Sequence, residues 1–468
     1  MSLSEYQQPK HGTPPLETHD DMEDTSYTNM VAALSKSGEK HQTEKSYDCD
    51  VLIIGSGPIG ATFARKLVDA DKKVLMIEMG DYPERYQFVY KGELHPLSVP
   101  TPNPETYLEP TSWDPDPLQV GCLQNGQNPN QQSWDNLPAA AASRVVGGMG
   151  SHWTCCTPRP DELEQSTLFT QDEWAALYDT AEELFRTNDK MFDDSIRQQL
   201  VKKVLYDAYA NSNREIKSMP LAGKRDDTID YIDWSCSASI LGDLSDIAST
   251  SENFEIRPNT QCLKLLRNTK KDPVEITGAY VENLQSGDQY TITAKKYVVC
   301  AGAILTPGIL FQSGITNNEL SALGHYMTEQ IMSFCQVVLK RSLVDAVEND
   351  SYGLGWAEKV KKHREKYPSD PLPFPFNDPD PQCYFPFSKT YPWHTQIHRD
   401  AYGYGEVPRT IDQRLVVDFR WFTYAQPVES NYVEFSSAIT DEFGMPQPTF
   451  HFRPSDDDAE RCQRMITE

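Results

Sequence analysis

Two periodicities alternate along the chain. Residues 48–54 form a short apolar run that ends in Gly55-Ser56-Gly57-Pro58-Ile59-Gly60, and residues 61–70 then take helical spacing. A second apolar run, 73–77, ends at Glu78. Strand, tight turn, helix and strand are predicted, the opening of a βαβ unit. Further on, Thr170 and Glu173 predict a capping box ahead of Trp174, Leu177, Tyr178, Ala181, Leu184 and Phe185, a stripe expected to pack in the core. Ile196, Leu200, Val201, Val204 and Leu205 predict a second amphipathic helix. Period two then takes over: 254–267, 274–284 and 289–294 predict a meander, with Ser286-Gly287-Asp288 turning between the last two strands. Residues 296–300 predict a buried strand entering Ala301-Gly302-Ala303, and 331–339, 414–422 and 431–435 are the clearest strands of the second half. The pattern predicts an α/β protein in which a doubly wound, Rossmann-like parallel sheet stands beside an α+β part built on an antiparallel sheet.

Between these elements lie segments of a different composition. Residues 1–45 are polar and rich in Pro, Asp, Glu and Ser, and are expected to be a disordered leader. That stretch has no apolar core of the signal-peptide kind, so location in the cytoplasm is the expectation from sequence. Residues 82–136 mix Pro, Asn and Gln with isolated aromatics, as expected of an interaction arm or lid. Residues 370–386 are Pro-rich and expected to be a surface loop, and Ser455 is expected to cap a helix. The chain stops at Glu468 within that element, so truncation is expected.

Charge narrows the function. Of 468 residues, 69 are Asp or Glu and 43 are Lys or Arg, a formal charge of −26 that repels phosphate backbones and anionic lipid. Neither a nucleic acid nor a membrane is expected as partner, and no apolar run of about 18 residues or more is present. Ten Cys are scattered without a CxxC pair, which favours reduced thiols over a disulfide framework.

The glycines carry the chemistry. Gly55, Gly57 and Gly60 form GxGxxG between a predicted strand and helix, and Glu78 follows Gly55 by 23 residues. In such a unit the bare backbone admits a diphosphate at the helix N-terminus and the acid meets a ribose. FAD and NAD both satisfy the motif. A second glycine-rich segment runs Ser143-Arg144-Val145-Val146-Gly147-Gly148-Met149-Gly150-Ser151-His152-Trp153-Thr154, and a third runs from Gly302 through Pro307 and Gly308 to Gly314-Ile315.

These last two segments resemble the signatures of the glucose-methanol-choline oxidoreductases, and in particular of their pyranose 2-oxidase branch; the likeness runs from about residue 50 to 452. It implies FAD. His152 matches the family's histidine that binds the flavin covalently, in a motif whose two preceding residues here are Gly150 and Ser151. Thr154 matches a residue near flavin N5, while Gly55, Gly57, Gly60 and Glu78 match the adenosine and diphosphate contacts. Arg144, Gly148 and Cys262 are expected to line the same cofactor, although Cys262 on its strand equally suits a small buried apolar residue. The segment from Pro392 to Gly405 resembles the family's substrate loop; Gln396, Asp400 and Tyr404 are expected to contact sugar hydroxyls, with Tyr402 at the loop tip and Arg420 on the neighbouring strand. His394 and His398 stand four apart with no third ligand placed, so no metal is assigned. The family's catalytic His and Asn fall beyond residue 468, leaving the catalytic base unassigned.

The resemblance therefore implies oxidation of an aldopyranose such as D-glucose at C2, with O2 as acceptor and hydrogen peroxide as product. A dehydrogenase using quinones or attacking another carbon, and an inactive flavin-binding fragment, are the alternatives. The expected organisation is an FAD-binding domain in two parts, 46–165 (with the arm at about 82–136) and 251–322. A helical segment spans 166–250, a substrate-binding domain 323–453 and a terminal segment 454–468. The resemblance also implies a homotetramer and a periplasmic or extracellular location.

Overall fold

The computed structural model describes residues 49–81, 94–96, 122–124, 130–132, 134–137, 140–151, 153–212, 214–225, 231–245, 251–398 and 410–468. The expected leader, most of the 82–136 arm, His152, Asp400, Tyr402 and Tyr404 lie outside the described residues.

Strand β1 (Val51–Ile54) leads through the glycine turn into helix α1 (Pro58–Asp69) and strand β2 (Val74–Ile77). Helices α2 (Gln171–Phe185) and α3 (Ile196–Ala208) follow. Then come β3 (Phe254–Arg257), β4 (Thr260–Asn268), β5 (Glu275–Asn283), β6 (Gln289–Ile292), β7 (Lys296–Val299) and helix α4 (Gly302–Gln312). The remaining elements that matter here are β8 (Gln330–Val338), β9 (Cys383–Tyr384), β10 (His394–His398), β11 (Val416–Tyr424), β12 (Tyr432–Thr440), β13 (Pro446–His451) and helix α5 (Asp456–Thr467).

The parallel sheet has the order β3-β2-β1-β7. Its central strands β1 and β2 are apolar on both faces, as a sheet covered on both sides requires. Leu52, Ile54, Leu75 and Ile77 pack against β4, β5 and β6, whereas Val51, Ile53, Val74 and Met76 pack against α1 through Ala61 and Ala64. A second sheet, antiparallel throughout, joins β8, β11, β10, β9 and the short strand Lys217–Ser218 in that order.

Three expectations are corrected. The strand expected over 254–267 breaks at Pro258-Asn259, where Asn259 takes φ of 52°, so that β3 joins the parallel sheet and β4 joins a separate antiparallel sheet with β5 and β6. The capping box at Thr170 and Glu173 forms, but none of the α2 residues is buried and Leu177 is 47% exposed. The helix lies on the surface, and only its last turn, Leu184 and Phe185, reaches an apolar cluster. Finally, the Pro-rich stretch 370–386 is interior: Leu372, Phe374, Asp378, Asp380, Gln382 and Cys383 are all buried. Asp378 is satisfied there, accepting from the backbone N–H groups of Ile196 and Arg197 at the start of α3 at 2.8 and 3.0 Å. The capping box at Ser455 forms as expected and starts α5.

Candidate active site

The ends of β1, β2 and β7 open on a cavity of about 580 Å3, within the range usual for cofactor sites. Gly55, Gly57, Glu78, Arg144, Gly148 and Cys262 all line it. Its position, beyond the carboxyl ends of parallel strands, is where open α/β sheets bind ligands.

Glycine is required here by contact. Gly55 has φ of +102°, and a Cβ on it would stand 2.5 Å from the carbonyl oxygen of Cys300. A Cβ on Gly60 would stand 2.0 Å from the Gly55 oxygen; Gly60 does not line the cavity but lets α1 seat against the turn. The second glycine segment is locked to the first. Ser56 Oγ accepts from the Gly147 backbone N–H at 2.9 Å and donates to Glu78 Oε2 at 2.7 Å. Ser237 Oγ donates to the Gly147 oxygen at 2.7 Å.

Glu78 is buried, and its carboxylate also accepts from the backbone N–H groups of Ser56 at 3.0 Å and Gly80 at 3.1 Å. Burial outweighs these bonds and holds its pKa above the ordinary 4.5. Cys262 is at once a wall of the cavity and part of the apolar cluster beneath the sheet, and burial pushes its thiol up to about 12. It acts as an inert small side chain rather than a nucleophile.

A dinucleotide suits this donor set. The N-terminus of α1 has no side-chain cap and no acidic residue in its first turn, leaving its dipole available to an anion. The buried hydroxyl of Ser143, on the cavity wall, has no hydrogen-bond partner among the described residues. A Cβ on Gly148 would stand 2.8 Å from the Gly57 Cα, so the two turns present bare backbone at closest approach.

Gln396 and Arg420 stand apart from the cavity lining and together on the second sheet, directly opposite each other in register. Alternation gives this sheet two unlike faces. Ile397, Val417 and Phe419 pack with Val201, Cys383 and Phe385. The opposite face carries His394, Gln396, Asp418, Arg420 and Phe422, with Asp418 and Arg420 both buried. His394 stacks on Phe422 at 5.2 Å, and burial lowers its pKa to about 4. The Arg420 charge reaches Cys156, opposing the burial that raises this thiol to about 11. Cys156 Sγ in turn donates to the Thr154 oxygen at 3.7 Å. Cys156, on the segment that follows the second glycine turn, thus lies within reach of the Arg420 charge.

Ser56, Ser143, Gln261, Asp441 and Met445 were missed from sequence. The hints were Ser56, the middle residue of GxG, and Ser143, the first residue of the second glycine segment; the others come from a strand and a turn far away in the chain.

Comparison with known proteins accords with this architecture. Residues 243–332 match the family model described as GMC oxidoreductase. A solved pyridoxine 4-oxidase from Mesorbium loti shares the fold, with a TM-score of 0.55 at 14% identity over 90% of this chain and 79% of that one. The site and fold are those of an FAD-dependent oxidoreductase. The chain is 38% identical to pyranose 2-oxidase of Emericella nidulans over 94% of its own length and 79% of that protein's, and 37% identical to pyranose 2-oxidase of Lyophyllum shimeji over 92% and 79%. It belongs to the pyranose 2-oxidase family of GMC oxidoreductases.

Proposed function

We propose that the protein oxidises aldopyranoses such as D-glucose at C2 to the 2-keto sugar and reduces O2 to hydrogen peroxide. The reading is carried by one observation: in a chain of this family, Gln396 and Arg420 face each other on the polar side of the second sheet. Bound FAD supplies a two-electron acceptor that no side chain can provide. Gly55, Gly57, Gly148 and the N-terminus of α1 would hold its diphosphate, Glu78 its ribose, and Arg144 and Cys262 the walls beside it. His152 is proposed as its covalent attachment and Thr154 as the hydroxyl beside its reactive ring.

Gln396 offers both a donor and an acceptor to sugar hydroxyls, and Arg420 offers fixed positive charge to an oxygen that loses its proton. Asp400, Tyr402 and Tyr404 complete this sugar-contacting set. Residues 46–165 and 251–322 are proposed as the FAD-binding domain and 323–453 as the substrate-binding domain. The 82–136 arm is proposed to join a homotetramer.

The test is oxidation of D-glucose in air by the purified protein, with peroxide followed by a peroxidase-coupled dye and the product ketone located by carbon NMR. Equal amounts of peroxide and 2-keto glucose are expected. A 3-keto product would move the site of attack, and turnover with benzoquinone but without peroxide would make the protein a dehydrogenase.

A further inference from the structure

The turn between β12 and β13 closes over one wall of the cofactor cavity. Asp441, Met445 and Pro446 line that cavity, although they lie some 300 residues beyond the second glycine segment. The turn is organised from within by Asp441. Its Oδ1 accepts from the backbone N–H groups of Phe443 and Met445, both at 2.9 Å, and its own N–H donates to the Met445 oxygen at 2.7 Å.

Two buried residues of the cavity wall hold the turn down, and they come from separate elements. Arg144 Nη2 donates to Asp441 Oδ2 at 3.3 Å with both side chains about nine-tenths buried, and its guanidinium lies 4.9 Å from the centre of the Phe443 ring. Gln261 Nε2 donates to the Phe443 oxygen at 3.2 Å from the strand that also carries Cys262. The neighbouring Glu442 is different: it is largely exposed, and its carboxylate is 3.9 Å from Arg144. One carboxylate therefore does two jobs, folding the turn and fastening it to the wall.

We propose that the Asp441–Arg144 pair is a clasp that shuts the turn over the bound cofactor, and that Asp441 is a positioning residue controlling access to it. This inference rests on the cavity's holding FAD and is separate from which sugar or carbon is oxidised. Besides the packing of Met445 against the apolar cluster, a buried ion pair, a cation–π contact and a side-chain hydrogen bond hold the turn, and none of the three is part of a sheet's backbone pairing.

The experiment uses the flavin-loaded protein and snake-venom phosphodiesterase, which cuts FAD between its phosphates only where they are reached. Release of AMP is followed by chromatography, so the readout holds whether or not the flavin is covalently attached. In Asp441→Asn, AMP release is expected about tenfold faster than in the unchanged protein. In Glu442→Gln it is expected to be unchanged, and in Asp441→Glu it is expected to lie between, since a carboxylate is kept. Chymotrypsin cleavage after Phe443 should rise in Asp441→Asn while cleavage within β8 to β11 stays constant, which separates an open clasp from a loosened fold. Equal AMP release in Asp441→Asn and the unchanged protein would overturn the proposal, as would an equal increase in Glu442→Gln or cleavage rising everywhere. A preparation that carries no flavin at all would instead refute the cofactor assignment on which the clasp depends.

Discussion

The cofactor cavity and the polar face of the second sheet are built by opposite means. The glycine-turn side of the cavity is made of backbone: Gly55, Gly57 and Gly148 line it by having no side chain, Gly60 lets α1 seat behind them, and the turns touch directly. The sheet face is made of side chains, with Gln396 set against Arg420 and His394 against Phe422 across neighbouring strands. At Gly55, Gly60 and Gly148 almost no substitution is tolerated, because a Cβ there meets main chain that cannot turn aside. A side-chain site can lose a member and keep its frame, so its failures should appear as lost affinity or rate.

The largest expected effect is at Gly60. In Gly60→Ala the new Cβ would meet the Gly55 oxygen at 2.0 Å, so purified protein should carry no flavin absorbance and lose about 3 kcal/mol or more in urea unfolding. A flavin-loaded Gly60→Ala protein of ordinary stability would erase the contrast. Arg420→Ala comes next. Its flavin spectrum should be intact while kcat/KM for D-glucose falls about 100-fold, the loss of a charge-assisted hydrogen bond of roughly 1.5–3 kcal/mol. Loss of flavin as well would show that the two regions are not separable.

The smallest effect concerns His394 and pH. Its pKa is lowered by burial from the ordinary 6.5 to about 4, so the unfolded chain takes up a proton before the folded one. Stability should therefore fall as pH drops from 6.5 to 4 and lose no more to this group below that. His394→Phe keeps a ring over Phe422 and should abolish this part of the acid loss, on the order of 2 kcal/mol in urea titrations at the two pH values.

The same contrast governs how far sequence alone could see. The GxGxxG turn, the strand before it and the acid after it are contiguous, and each obeys local rules; their places in the structure are those expected from them. Glu78 was legible, whereas Ser56 as the bridge between Glu78 and Gly147 was not, since Gly147 lies 91 residues away. Asp441 gave no local sign, because its meaning comes from Arg144 across the fold. The burial of 370–386 was hidden for a related reason. Pro and Asp mark a loop when only composition is weighed, but Asp378 finds its partners at the start of α3 and Asp370 finds Arg414. The surface position of α2 shows the converse: helical spacing of apolar residues reveals a stripe but not what covers it.

The pairing of β1 with β7 has a consequence for biosynthesis. Val51 stands beside Lys296, so the first strand of the sheet waits for a neighbour translated 245 residues later. At about 5–20 residues per second a ribosome needs roughly 12–50 s to deliver it. Through that interval β1 has an unsatisfied edge and an apolar flank, open to mispairing until the missing neighbour emerges.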